Sequence, residues 1–215
     1  MVMPNISLWY KKYERVLTIA LALGLVGVIG WFGYKWYTKR LEAQAFADFS
    51  QATDDYFKAV LSTDDKQRWQ DMANGLALQA QEHKSSVLAP YYLAYQADAL
   101  VHDGKIDQAL TLMNQVLAQL PKNSPFYYMY ATKQALIKLD AQSQDVRAQG
   151  ITELEQLAQD KENPVKDMAL YHQGYHAWTT GNRPQAEKIW STLCTYGDKD
   201  SVWVQLAQAK LEGIA

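Results

Sequence analysis

The sequence predicts an all-α protein, a single N-terminal transmembrane helix followed by a solenoid of α-hairpins. Three observations carry that expectation. Val16 to Tyr34 is a run of nineteen residues without a charge. Beyond it, apolar residues recur at helical spacing almost without a break, with no strand-like alternation between Gly or Asn turns. Residues 90–123 and 167–200, each thirty-four long, then repeat one pattern of small and large side chains around a central glycine.

The first fifteen residues form a short N-terminus, expected in the cytoplasm if the topology follows the resemblance described below. The span is placed at 16–36. Nineteen residues at a helical rise of ~1.5 Å cover roughly 28 Å, close to the hydrocarbon thickness of a bilayer. Trp9, Tyr10 and Tyr13 gather at one end and Trp31, Trp36 and Tyr37 at the other, where interfacial rings belong. The run exceeds the apolar core of a cleaved signal peptide. The nearest small-x-small sites, "AQA" and "AFA", follow Lys35, Lys39, Arg40 and Glu42, so the segment reads as an uncleaved signal-anchor. Lys11, Lys12 and Arg15 before it balance Lys35, Lys39 and Arg40 after it, and charge alone leaves the orientation open. Gly24, Gly27, Gly30 and Gly33 recur every third residue and drift around the helix. Ala20 and Gly24 have the four-residue spacing of a small-residue contact.

Residues 37–89 read as a long helix and its partner. Leu41, Ala45, Phe49, Ala52, Tyr56, Phe57 and Val60 are expected inward on the first, and Thr63 is the candidate N-cap of the second. Residues 90–200 hold three hairpins: 90–123, an irregular 124–164 whose turn lengthens through Gln142–Asp145, and 167–200. In the two regular copies Leu93 aligns with Leu170, Ala97 with Gly174, Gly104 with Gly181, Ala109 with Ala186, Met113 with Trp190 and Val116 with Leu193. Small residues at 97 and 174 let paired helices approach. Glycine at 104 and 181 permits a left-handed turn, and Pro121 ends the first copy. These positions resemble the tetratricopeptide repeat, whose period is about 34. Residues 201–215 form a cap helix for the open end of the array.

Composition narrows the function. The formal charge of −2 is the sum of +5 over residues 1–40 and −7 over 41–215. An acidic body without a basic stripe is unsuited to nucleic acid. One cysteine, Cys194, cannot form an intrachain disulfide and reads as a small buried side chain. His172 and His176 share a helix face at a spacing that zinc can use, but no further ligand completes a set, so no metal site is assigned. Asp54/Asp55 and Asp64/Asp65 are neighbours whose side chains point apart on a helix, which excludes acid–base dyads. No phosphate loop, nucleophile elbow or Cys-x-x-Cys occurs, so neither an enzyme nor a cofactor is expected.

The arrangement of anchor, acidic repeat body and closing helix resembles the bacterial inner-membrane ancillary translocon subunit family (YfgM-like). The likeness is carried by "GLVGVIGWFGYKWYTKRLEAQAFADFSQA", "APYYLAYQADALVHDGKIDQALTLMNQVL" and "GYHAWTTGNRPQAEKIW". The leader "MVMPNISLWYKKYE" departs from the acidic one of that family. The resemblance implies a cytoplasmic N-terminus and a periplasmic body. It also implies a non-enzymatic adaptor contacting the SecYEG channel, a periplasmic prolyl-isomerase-type chaperone and exported polypeptides. A scaffold for another envelope assembly is the alternative.

Fourteen tyrosines and seven tryptophans exceed what a small helical core demands. In stacked hairpins the first helix of each pair lines the concave face. That geometry makes Tyr91, Asp98, His102, Tyr128, Tyr171, Tyr175 and Trp178 the candidate protein-binding residues, since rigid amphipathic rings suit peptide binding. The expected groove lacks clustered Lys/Arg, which disfavours a clamp for acidic peptide tails.

Overall fold

A computed structural model describes residues 6–62 and 66–213, without the side chains of 6–14, 17, 20, 22 and 66. Trp9, Tyr10, Tyr13, Lys11, Lys12, Ala20, Thr63 and the pair Asp64/Asp65 therefore fall, wholly or in their side chains, outside the described residues. Among these, nine helices and no strand occur: α1 (Ile6–Leu61), α2 (Lys66–Glu82), α3 (Ala89–His102), α4 (Ile106–Gln119), α5 (Pro125–Leu139), α6 (Gln144–Gln159), α7 (Lys166–Thr179), α8 (Arg183–Tyr196) and α9 (Val202–Glu212). The chain divides into two compact units, residues 1–48 and 49–215.

The described part of the first unit, 6–48, is helix. Leu23, Leu25, Val26, Val28 and Ile29 are each more than half exposed. At about 100° per residue these positions sample every side of the helix, so its surface is apolar all round. Trp31 packs edge-on to Phe32, the Lys35 ammonium lies 4.3 Å from the Trp31 ring centroid, and Arg40 lies over Trp36. Among the described residues no helix is long and apolar enough to cross a membrane. The side chains of Leu17, Ala20 and Ala22, inside the apolar run, are outside that description.

The second unit stacks its helices in sequence order, each against the next from α2 to α9, with α7 also touching α5 and α9. Its two regular hairpins close in the same way. Gly104 and Gly181 have φ of 81° and 86°. Around them Lys105 N–H donates to Leu100 at 2.8 Å and Asn182 N–H to Ala177 at 2.8 Å. Asp103 bonds Ala99 and Thr180 bonds His176 at the matching positions. The left-handed glycine lets these donors satisfy carbonyls that a helix end would orphan. Ala97, Ala109, Ala186, Met113, Trp190, Val116 and Leu193 are fully buried. Gly174 makes room for Trp190, since a Cβ there would sit 2.7 Å from the indole Cδ1.

The middle hairpin turns without a left-handed residue. Its connection is Asp140–Ser143, slightly earlier than the expected Gln142–Asp145, because Ser143 caps α6 and helix resumes at Gln144. Arg147 holds the loop by donating to the carbonyls of Ala141 and Gln142 at 2.6 and 2.8 Å. Gly150 lies against α5 so closely that a Cβ would meet the Ala135 carbonyl at 2.7 Å.

One expectation for α1 needs correction. Ala45, Phe49, Ala52 and Tyr56 are buried or half-buried, as expected, whereas Leu41, Phe57 and Val60 are exposed. Ala59 is buried in their place. The stripe continues in steps of three and four from 49 through 52 and 56 to 59, and 57 and 60 lie one residue, about 100°, off it.

Candidate protein-binding surface

The α3 residues Tyr91, Tyr95, Asp98 and His102 fall at steps of three and four, one stripe of the helix. α1 and α5 meet that stripe with rings. Phe49 is edge-on to Tyr91, Tyr92 and Tyr95, and Tyr56 is edge-on to Tyr95 and Trp69. Phe126 stands perpendicular to Tyr91 at 5.7 Å and is half exposed. Such edge-to-face pairs align the positive ring edge with the negative face of the neighbour.

Asp98, only 9% exposed, is paired with Lys133 of α5. Burial nevertheless raises the carboxyl above its ordinary value, with Lys133 opposing the shift. The same burial, with Asp98 and neighbouring tyrosines adding to it, raises the phenols of Tyr56 and Tyr130. A buried pair of this kind joins two hairpins at a fixed register more than it adds stability, because each ion surrenders its hydration. His102 is exposed on one side and stacked on Trp69 on the other, 4.0 Å between centroids.

A second ring cluster occupies α7 to α9. Tyr171 is buried, with Trp203 at 5.4 Å and Trp190 at 6.2 Å, and belongs to the packing between helices. The Trp190 indole N–H donates to its carbonyl at 3.1 Å. Tyr175 stacks on Tyr171 and is 43% exposed, with the Lys210 ammonium 5.5 Å from its ring. Trp178 is half-buried beneath the Arg183 guanidinium at 4.7 Å.

The seven candidate residues therefore fall into three places. Tyr91, Asp98 and His102 share the α3 stripe, and Tyr171, Tyr175 and Trp178 share the α7 cluster. Tyr128 stands apart. It lines a cleft of about 440 Å³ between α4, α5 and α6, with Leu117, Lys122, Gln134, Leu157 and Asp160. Partial desolvation and the Asp160 carboxylate raise its phenol. The α5 residues that face α3 are Phe126, Tyr130 and Lys133. Tyr130 is two positions from Tyr128, about 200° around the helix.

Tyr95 was not among the expected residues, although its place one turn beyond Tyr91 could have signalled it. Lys133, Arg183 and Lys210 carried no such signal, because each reaches its ring or carboxylate from another helix.

Of the two α7 histidines, His172 is occupied by packing. His172 lies between Tyr171 and Trp203, and burial lowers its pKa from the ordinary 6.5. Among the described residues no group of three or more His, Cys, Asp or Glu is placed to hold a metal. Cys194 is half-buried and burial raises its pKa, which disfavours the nucleophilic thiolate.

No curated protein and no solved structure matches the chain. The family pattern of the tetratricopeptide repeat-like domain matches residues 8–215. That range contains the paired hairpins, their glycine turns and both ring clusters, and domains of this kind are protein-interaction scaffolds. The chain belongs to the tetratricopeptide repeat-like domain family.

Proposed function

We propose that this chain is a membrane-anchored adaptor that holds proteins at the bacterial protein-export channel. The observation that carries the reading is α1 itself. Its residues 23–29 show exposed apolar side chains around the helix, and the chain belongs to an interaction family. A helix apolar all round requires burial in protein or lipid. The uncharged run from Val16 to Tyr34 matches the bilayer core, so we take lipid as the surrounding. Arg40 and Lys35 resting on Trp36 and Trp31 suit a headgroup boundary, where ring and cation each keep one side wet.

The export assignment rests on the resemblance to the ancillary translocon subunit family. It brings the SecYEG channel, a prolyl-isomerase-type periplasmic chaperone and exported polypeptides as partners. It places residues 1–15 in the cytoplasm and the array in the periplasm. The protein works by binding, with no catalytic step. Purification of the full chain in mild detergent after light crosslinking tests this, and channel subunits are the expected co-purifying proteins. Recovery of a different envelope assembly instead would overturn the export assignment while leaving the scaffold. A tag after Ala215 should be cut by protease in intact spheroplasts; protection there would reverse the topology.

A further inference from the structure

Three cations, Lys35, Lys39 and Arg40, follow the uncharged run of α1. At about 100° and ~1.5 Å per residue they fall within roughly 140° of arc and roughly 7.5 Å of helix axis. That depth is close to one headgroup layer, since a bilayer of ~40–45 Å encloses a hydrocarbon core of ~30 Å. Trp31, Lys35 and Lys39 follow one line along the helix, and the Lys35 ammonium lies 4.3 Å from the Trp31 ring centroid. Trp36 and Arg40 follow a second line, with the guanidinium 5.7 Å from the ring. Both indoles and all three cations are exposed. Ion pairs among the described residues join Lys58 to Asp55, Lys105 to Asp103, Lys133 to Asp98 and Lys138 to Glu153, and none includes these cations. With Glu42 one turn beyond Lys39, three cations and one acid leave a net charge of +2 beside the apolar run.

We propose that Trp31, Lys35, Trp36, Lys39 and Arg40 form a collar that binds the headgroups of anionic phospholipids, an inference that rests on the membrane-anchored reading above. Charge complementarity names the occupant. Phosphate oxygens of the lipid accept from the cations, and its acyl chains lie along the apolar helix beside them. A zwitterionic lipid brings no net charge, because its own ammonium offsets its phosphate. A lipid with net negative charge gains the full attraction of the collar. The Arg40 guanidinium offers parallel donors to a phosphate, while Lys35 and Lys39 act as point charges. Trp31 and Trp36 restrain two of the cations before the lipid arrives, so less freedom is lost on binding. The collar also bears on orientation. With the array outside the cytoplasm, its cations oppose the positive-inside bias that Lys11, Lys12 and Arg15 supply at the other end. An attractive headgroup contact offsets that opposition.

The test counts lipids bound to the full chain by native mass spectrometry, after phosphatidylglycerol or phosphatidylcholine with the same acyl chains is added to its detergent micelles. Phosphatidylglycerol should be favoured by about tenfold. K35Q, K39Q and R40Q together should abolish the preference, and K35R with K39R should keep it. Equal binding of the two lipids would overturn the collar. A preference that persists in the triple Gln variant would overturn it too, by placing the lipid elsewhere on the chain. Displacement of phosphatidylglycerol by excess inorganic phosphate would show a simple anion site and overturn the headgroup assignment. Alkaline carbonate extraction of membranes separates the collar from the anchor. A carbonate-resistant chain without lipid preference refutes the collar alone, whereas a chain released by carbonate refutes the membrane reading and the collar with it.

Discussion

Gly174 and Trp190 show how a single missing side chain organises a hairpin. The indole fills the space where a Cβ would stand and donates to the Tyr171 carbonyl from a fully buried position. Gly174→Ala should therefore cost about 1–3 kcal/mol, the usual penalty of overpacking, read as a lowered urea midpoint with unchanged slope. In the aligned copy Ala97 and Met113 hold the matching positions and are both fully buried, with one methyl more on one side and a smaller group on the other. Such pairs are legible in sequence because both members recur at fixed offsets. The pair Asp98–Lys133 is not, since its members are thirty-five residues apart and no local rule joins them. His172 gives a pH dependence of definite sign. Its folded pKa is lowered by burial, so between that value and the ordinary 6.5 the unfolded chain binds more protons. Its contribution is complete above 6.5 and declines as pH falls towards the folded value. Urea melts from about pH 7.5 to about pH 5.5 should show falling stability, and His172→Gln should flatten the part due to this residue.

At the scale of elements, the helices were legible and some of their faces were not. Gly104 and Gly181 announced their turns because a left-handed residue after a helix has few occupants. The turn of the irregular hairpin was expected at Gln142–Asp145 and lies two residues earlier, where Arg147 replaces the glycine device with two side-chain bonds to carbonyls. On α1 hydrophobicity alone suggested that Leu41, Phe57 and Val60 face inward, yet the rings of α2 and α3 meet only the stripe through Phe49, Tyr56 and Ala59. Upstream, the same helix has no such choice of face. Leu25→Asp combined with Ile29→Asp should cost about 6 kcal/mol of insertion free energy if lipid surrounds it. The double variant should then leave the carbonate-resistant membrane fraction, while retention of both aspartates in that fraction would count against a spanning helix.

In the second unit, the stacked hairpins bring side chains from several helices together along their faces. The ring-rich α3 and α7 stripes could be anticipated from the rule that first helices line one face. The placement of Tyr128 on the α4–α6 side could not, because a shift of two residues turns a helical side chain to roughly the opposite face. The cations over Tyr175 and Trp178 were also invisible, since they come from α9 and α8. What unites these features in the proposed account is placement: a greasy stalk in lipid keeps an interaction surface beside the channel that delivers its clients. A photo-crosslinking residue at Tyr175, activated in living cells, tests that claim most directly. The account predicts adducts with channel subunits or newly exported chains in the membrane fraction. Adducts confined to cytosolic proteins, recovered with the chain in the soluble fraction, would contradict it.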